Sequence, residues 1–589
     1  MQHKNTQSFT QLIRRLWTQL ASNRRRQFGL LLLLMIISAF SEAISIGAVL
    51  PFIGVLTAPS RIFEHSIAQP FIHALEITSA DQLILPLAVL FGVTALLAGG
   101  LRLLFLWLSV RLTFAVGVDL SSEIYRRTLY QPYDVHIKRN SSEVISSITA
   151  KIGQSIFYII MPLLTLISAT IMFIAISVAI VFMTPTIVLG AFSGIGLLYI
   201  IIIRGTRKHL NSDSQKISDE SNQVIKCLQE GLGGVRDILI DGTQETFCAS
   251  YKKSERILRR AQGNNQIISQ GPRYIMEALA MVLMAILAFW FSQQLGGIET
   301  AVPILATMAL GMQRLLPALQ QIYAAWSNIR GYLSSLQDSL DMLDQPLPDF
   351  SRKTDVKELN FQSSIRLKDI SFRYAPKTTQ VLNNVNLIID KGSRIGFVGE
   401  TGSGKSTLLD IIMGLLQPSE GIIEIDGLPV TSKNQHRWQS HIAHVPQVIF
   451  LADASIEENI AFGIEKKQID HALVRQAAQQ AQIAETIEAW PKKYKTSVGE
   501  QGVQLSGGQR QRIGIARALY KQADVIIFDE ATSALDISTE ESVIQAIESL
   551  NDELTILIIA HRLTTLRSCD EIIELRNGSV FKKEIPVNE

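Results

Sequence analysis

The chain has 589 residues, too many for one hydrophobic core, so at least two domains are expected. Charged residues make up 18% against the ~25% usual in soluble domains, 47% are hydrophobic and mean hydropathy is +0.22, which excludes an ordinary soluble protein. A net charge of +2 leaves no global basic field and speaks against nucleic acid as a partner.

The long apolar stretches all lie before about residue 325. A bilayer core about 30 Å thick needs about 20 apolar residues in helical form. Six runs qualify: Phe28 to Leu56, Leu83 to Leu112, Ile156 to Met183, Ile187 to Ile203, Tyr274 to Leu295, and Ala301 to about Ala325. The first is too long for the apolar region of a signal peptide and lacks a small-residue cleavage pattern, so it is expected to remain as a spanning helix. Lys and Arg gather before the first run (Arg14, Arg15, Arg24, Arg25, Arg26), between the second and third, and between the fourth and fifth. The opposite side holds Arg61 and little else. The positive-inside rule therefore puts both termini in the cytosol.

Val116 to Leu129 and Ile217 to Ile238 keep apolar residues at three- and four-residue spacing, which predicts helices continuing from the spans into the cytosol. On the outer side, Ser60 to Glu76 reads either as a short helix on the outer leaflet or as a packed loop. The three cysteines, Cys227, Cys248 and Cys569, are widely separated and form no metal-ligand pattern; reduced structural thiols are expected.

A linker follows at Gln345-Pro346-Leu347-Pro348-Asp349 and runs to Ser364. The expected division is a transmembrane domain over 1–344, a linker over 345–364 and a soluble domain over 365–589. Strands are predicted at Ile365 to Leu367, Ser371 to Tyr374 and Arg394 to Val398. The last leads into Gly399-Glu400-Thr401-Gly402-Ser403-Gly404-Lys405-Ser406-Thr407 and then an apolar helix, Leu408 to Leu416. This is the strand–GxxxxGK[ST]–helix unit. Glycines let backbone N–H groups approach phosphate, the helix N-terminus adds partial positive charge, Lys405 can reach the β- and γ-phosphates, and Ser406 can ligate Mg²⁺. A further strand, Val525 to Phe528, ends in Asp529-Glu530, placing one carboxylate to hold Mg²⁺ and another to polarise the attacking water.

The most specific feature is Leu505-Ser506-Gly507-Gly508-Gln509, a second phosphate cradle opening the helix Gln509 to Leu519. With this motif the chain resembles the ABC ATPases, and its six-span half resembles the exporter-type membrane domain. The resemblance implies a membrane protein with a six-helix all-α transmembrane domain and an α/β P-loop nucleotide-binding domain. It implies a homodimer in which the Ser506-Gly507-Gly508-Gln509 cradle of one copy faces the ATP held by the other. By the same resemblance, Tyr374 stacks on adenine, Gln447 contacts Mg²⁺ and water, and Thr496 to Gly502 touches the membrane domain. Asp536, in Ser533-Ala534-Leu535-Asp536, lies at the dimer seam, and His561 senses the γ-phosphate. ATP and Mg²⁺ are the implied cofactors, and the cell inner membrane the implied location.

Four arginines sit in or beside apolar spans: Arg102, Arg111, Arg273 and Arg314. A charge at the bilayer centre costs roughly 2.5–3.5 kcal/mol on insertion scales, so each should face a cavity or a partner. Arg111 lies near a membrane edge and can snorkel; Arg273 has Glu277 one turn on; Glu42 in the first span is another candidate partner. Arg102 and Arg314 have no acidic residue within four positions. A cavity lined by Arg102, Arg273 and Arg314 suits an anionic cargo. The surroundings of these residues resemble the flippases of lipid-linked oligosaccharides, which implies a polyprenyl-pyrophosphate glycan as cargo. A multidrug or lipid A-type lipid exporter is the alternative, and a gated channel is the reading from another class.

Overall fold

The computed structural model describes residues 7–57, 63, 69, 79–181, 185–292, 297–347, 359–530, 553–560, 566 and 569–583. The chain forms two compact units: Met1–Tyr130 with Arg139–Pro346, and Gln131–Lys138 with Leu347–Glu589. One eight-residue excursion of the N-terminal half therefore groups with the C-terminal unit, which contiguous domain boundaries do not capture. Of Ser60 to Glu76, all but two residues lie outside the described ones.

The first unit is helical. An amphipathic helix α1 (Phe9–Gln19) buries Leu12 and Leu16. Long helices then follow: α2 (Ser22–Thr57) and α3 (Ile84–Leu129), with a short α4 (Tyr133–Lys138) assigned to the second unit. Helix α5 opens at Ser141–Ser146 and ends in Met161–Val181. After it come α6 (Pro185–Gly233), α7 (Val235–Asp241), α8 (Gln244–Ser292) and α9 (Gly297–Leu343). At 1.5 Å per residue the 46 residues of α3 span roughly 69 Å, about twice a bilayer core, so the span and its extension are one continuous helix. The extension predicted over Ile217 to Ile238 is instead broken at Gly234, which lies between α6 and α7 with non-helical backbone; adjacent glycines cost helix propensity and release the chain there.

Along the apolar stretches many large side chains stay exposed on the protein surface, among them Leu85, Leu96, Leu103 and Ile201, as expected where the solvent is hydrocarbon. Polar and apolar packing concentrate at the other end of the helices. Leu12, Val116, Ile124, Ile159, Ile217 and Leu340 belong to one buried cluster there. Helix α5 contains two π-helical turns, Ser147–Lys151 and Ile156–Ile160. The second sets Ile156 against Gly117 so closely that a Cβ on Gly117 would lie 2.2 Å from Ile156 Cδ1. The first carries Lys151, fully buried, whose Nζ meets Asp338 Oδ2 at 2.5 Å; Ser218 donates to the same oxygen. The end of α9 is tied further by Arg15 to Asp341 and Asp344 and by Arg127 to the carbonyl of Leu343.

The second unit is α/β. A four-stranded antiparallel sheet has the order β2-β1-β4-β5, from β1 (Ser364–Phe372), β2 (Leu382–Asp390), β4 (Glu420–Ile425) and β5 (Leu428–Pro429). The two short strands expected at its start are one strand with register shifts after Leu367 and Ile370, and it ends before Tyr374. A six-stranded sheet has the order β10-β9-β3-β8-β7-β6. Its members are β3 (Arg394–Val398), β6 (Ile442–Val445), β7 (Val525–Asp529), β8 (Thr555–Ile559), β9 (Glu571–Arg576) and β10 (Ser579–Lys583). Strands β3, β6, β7, β8 and β9 run parallel, and β7 and β8 are almost wholly buried, as continuous apolar strands covered on both faces must be. This order brings the C-terminal ends of β3 and β7 to either side of β8, the edge where α/β sheets bind ligands.

Breaking the buried ion pair should destabilise the helical unit. Asp338→Ala leaves Lys151 charged and without its carboxylate, at a cost of about 3–5 kcal/mol. The expected result is a clearly lower midpoint of thermal unfolding in detergent, with most of the loss recovered in Lys151→Met/Asp338→Leu. An Asp338→Ala midpoint equal to wild type would show that the pair contributes nothing.

Candidate functional site

The loop after β3 is built by its glycines. Gly399, Gly402 and Gly404 have φ of +146°, +85° and +103°, and a Cβ on Gly399 would lie 2.4 Å from the carbonyl oxygen of Leu575. Only glycine meets both demands at that position. The helix that follows, α10 (Lys405–Ile412), starts three residues earlier than the expected apolar run because its first turn is polar. Its N-terminal N–H groups open onto the loop, the arrangement that receives phosphate. Lys405 is buried, and its Nζ donates to the carbonyls of Gly399 (2.8 Å) and Glu400 (3.0 Å). Burial lowers the Lys405 pKa, opposed by the charges of Glu530 and Asp529. Ser403 Oγ is buried with no partner, Thr401 and Ser406 are exposed, and Thr407 Oγ1 lies 3.0 Å from the hydroxyl of Tyr374. Tyr374 meets Phe372 edge-on at 5.0 Å and keeps an exposed face. The curl and the buried Ser403 hydroxyl fit a nucleotide phosphate chain.

Strand β7 delivers Asp529 and Glu530 to the same edge. Glu530 adopts φ of +48°, a left-handed backbone unusual for a non-glycine residue and the kind of strain that concentrates at functional positions. Its N–H is held by the carbonyl of Ile559 at 3.1 Å, and its Oε2 accepts from Gln447 Nε2 at 2.6 Å. The strand ends thus join two residues that the sequence separates by more than eighty positions. Burial, then Glu530, raise the Asp529 pKa. Ser406, Gln447 and Asp529 offer hydroxyl, amide and carboxylate oxygens, hard donors that suit Mg²⁺. Among the described residues no group of three or more His, Cys, Asp or Glu can hold a metal by itself, so phosphate oxygens and water would complete the ion's shell. One residue that sequence reasoning passed over lies close by: Asp410 on α10, whose carboxyl is pushed up to about 6 by burial and by Asp529.

The Ser506-Gly507-Gly508-Gln509 cradle opens α15 (Gly507–Tyr520), which follows α11 (Gln435–Ser440), α12 (Ile456–Ile460), α13 (His471–Gln480) and α14 (Ala484–Glu488). Ser506 is the N-cap: its Oγ accepts from Gln509 N–H (3.2 Å), and Gln509 Oε1 accepts from Ser506 N–H (2.9 Å). This capping box engages only the Oε1 of Gln509 within its own helix, so the Gln509 Nε2 amide, the Ser506 hydroxyl and the N–H groups of Gly507 and Gly508 are left to face a ligand. Arg517, also passed over, fastens α15 to the segment after Gln447. Its guanidinium donates to the carbonyls of Phe450 and Asn459 and lies 4.4 Å from the Phe462 ring centroid, and burial lowers its pKa to about 10. Asp536 and His561 lie outside the described residues.

In the helical unit, Arg102 of α3 pairs with Glu42 of α2 at 2.5 Å. The pair lines a cavity of about 350 Å³ whose wall also includes Ser38, Ser168, Gln313 and Gln321. Arg273 pairs with Glu277 at 2.8 Å and borders a different cavity, of about 300 Å³. Arg111 lies over Trp107, 5.9 Å from the ring centroid. The three arginines expected in one cavity are therefore not brought together: Arg102 and Arg273 line separate cavities, and the Arg314 side chain lies outside the described residues.

Comparison with known proteins gives concordant results. The profile of the ABC transporter transmembrane region matches residues 28–310, and that of the ABC transporter matches 382–533. An ATP-dependent lipid A-core flippase of Saccharophagus degradans is 30% identical over 491 residues, covering 79% of this chain and 78% of that protein. The heterocyst differentiation ATP-binding protein HepA of a Nostoc species is 28% identical over 563 residues, covering 93% and 89%. A solved bacterial Atm1-family ABC exporter with ATP bound shares the fold, with a TM-score of 0.75, 22% identity and 95% of each chain covered.

Substitution separates the two halves of the site. Glu530→Gln keeps the phosphate loop and removes the carboxylate, so nucleotide binding should persist while turnover falls at least about a hundredfold. Lys405→Ala should weaken nucleotide binding itself. Equilibrium binding of a fluorescent ATP analogue, measured beside phosphate release, distinguishes them; near-normal hydrolysis by Glu530→Gln would remove Glu530 from the chemistry.

Proposed function

Since the chain belongs to the ABC transporter family, with a helical transmembrane domain and an ATPase domain in one polypeptide, we propose that it acts as a homodimer in the inner membrane and moves a phosphate-bearing glycolipid of lipid A-core type to the outer leaflet. ATP binding and hydrolysis coupled to transport follow from the family itself. In this reading the ATPase domain and both termini are cytosolic. Lys405 and the loop N–H groups bind the phosphates, and Ser406, Gln447 and Asp529 hold Mg²⁺, which supplies charge neutralisation at the phosphates. Glu530, oriented by Gln447, accepts the proton of the attacking water. The exposed Ser506 end of α15 faces the nucleotide of the second copy, so one chain supplies half of each site.

The observation that carries the lipid reading is the Glu42–Arg102 cavity among the apolar spans, which gives a charged headgroup a polar surface there. The relative named an ATP-dependent lipid A-core flippase supports the same class. A polyprenyl-pyrophosphate glycan is favoured less. The ion pairs of Arg102 and Arg273 leave less surplus charge for either phosphate-bearing headgroup, so the ranking rests on the relative named for lipid A-core.

Proteoliposomes containing lipid A-core, a polyprenyl-pyrophosphate glycan or phosphatidylcholine test the assignment. Lipid A-core should stimulate ATP hydrolysis and become accessible to an external label in an ATP-dependent way. Replacing both partners, as in Glu42→Gln/Arg102→Gln, avoids stranding a buried carboxylate. This variant should keep basal hydrolysis within about twofold and lose flipping at least about tenfold. Stimulation and flipping confined to the polyprenyl glycan would reverse the ranking of the two cargoes.

A further inference from the structure

Helices α6 and α9 run side by side in a register fixed by hydrogen bonds. Ser214 Oγ lies 3.2 Å from Ser334 Oγ and accepts from Ser334 N–H at 3.0 Å, and Ser218 donates to Asp338. Both pairs have the same sequence offset, 120 residues, so the helices run parallel and in register over that turn. By that register Leu210 stands opposite Arg330, and Arg207 lies about one turn nearer the spans. Helical side chains lean toward the N-terminus, so Arg330 reaches toward the level of Arg207. The two guanidinium groups act on each other: burial, and then the like charge of Arg207, lower the Arg330 pKa.

Among the described residues neither arginine has a carboxylate partner. The nearest acid by register, Asp213, is engaged by Lys216 (3.3 Å) and by Asn264 of α8 (3.3 Å). Asn265 of α8 presents an amide, not a charge, and donates to the carbonyl of Gly331. Arg204 adds a further exposed cation one turn up α6.

The depth of this pair is marked by aromatic residues. Tyr199, Tyr323 and Trp326 cluster between the same two helices, with ring centroids 5.5 Å and 6.0 Å apart in successive pairs. Tyrosine and tryptophan collect at the boundary between hydrocarbon and headgroups. Arg330 lies seven residues beyond Tyr323, about 10 Å along the helix, and Arg207 about 12 Å beyond Tyr199. Leu197 and Ile201, exposed on α6, continue toward the hydrocarbon.

We propose that Arg207 and Arg330 form a binding site for one lipid phosphate at the cytosolic face of the membrane, held between α6 and α9. Guanidinium groups match phosphate oxygens in pairs, and an anion between two like charges turns a repulsion into two attractions. The site is separate from the Glu42–Arg102 cavity and independent of which cargo the transporter moves.

Thermal unfolding and native mass spectrometry of the full chain in nanodiscs test it. Phosphatidylglycerol should raise the wild-type midpoint by several degrees over phosphatidylcholine, and Arg330→Gln and Arg207→Gln should lose that increment. Each should lower the phosphatidylglycerol retained in the spectrometer about tenfold. Lys208→Gln, an exposed neighbour, should keep both. Arg330→Glu should pair with Arg207 and reach the stabilised midpoint without anionic lipid. An equal phosphatidylglycerol increment in wild type and in Arg330→Gln overturns the site. Millimolar inorganic phosphate reproducing the increment in phosphatidylcholine discs overturns a lipid as its source.

Discussion

Taking a charge out of water costs several kcal/mol, and the cost is met only by a partner or by hydrogen bonds that replace the lost hydration. Much of the architecture follows from where those partners are. Lys151 can be buried because Asp338 arrives on a different helix, and in meeting it the chain locks α5, α6 and α9 together. Glu42 and Arg102 join α2 to α3 within the apolar spans. In the ATPase unit Arg517 is held by two carbonyls and an aromatic face. Each pairing connects segments far apart in sequence, so charge satisfaction and tertiary structure are the same constraint.

That is also why the sequence reads well in some places and poorly in others. The spans, the phosphate loop and the strand ending in Asp529-Glu530 are local patterns: their chemistry is set by neighbours in the chain, and periodicity and spacing are enough to find them. Glu42 stands out in the sequence as a candidate partner for an intramembrane arginine, but it is sixty residues from Arg102 on another helix, and no window around Arg102 shows which arginine it meets. Gln447 and Glu530 meet because β6 and β7 are adjacent parallel strands, a fact of sheet order rather than of either motif. Gln509 is a different case. A motif fixes a residue's identity but not its rotamer, and here the amide oxygen turns back to cap its own helix while the Nε2 group stays available.

The catalytic edge combines rigid and strained parts. The sheet beneath it is buried and parallel, while Glu530 sits just past its end in a backbone conformation that costs about 1–3 kcal/mol. The neighbouring hydrogen bonds from Gln447 and to Ile559 supply the restraint that such a conformation needs. A carboxylate held this way loses little freedom when it orients a water, which is the advantage of a preorganised site.

The two π turns of α5 bear on how that helix can be compared with others. A π turn closes its hydrogen bonds over one more residue than an α turn, so each lets the chain absorb an additional residue while the helix on either side keeps its aspect. Counted as contacts, the stretch between Ser141 and Val181 is shorter than its sequence. A single deletion within 147–160 would straighten a turn rather than rotate everything downstream. Alignments that forbid gaps inside helices will misplace one flank of α5 or the other, and with it the residues that face Gly117 and Asp338.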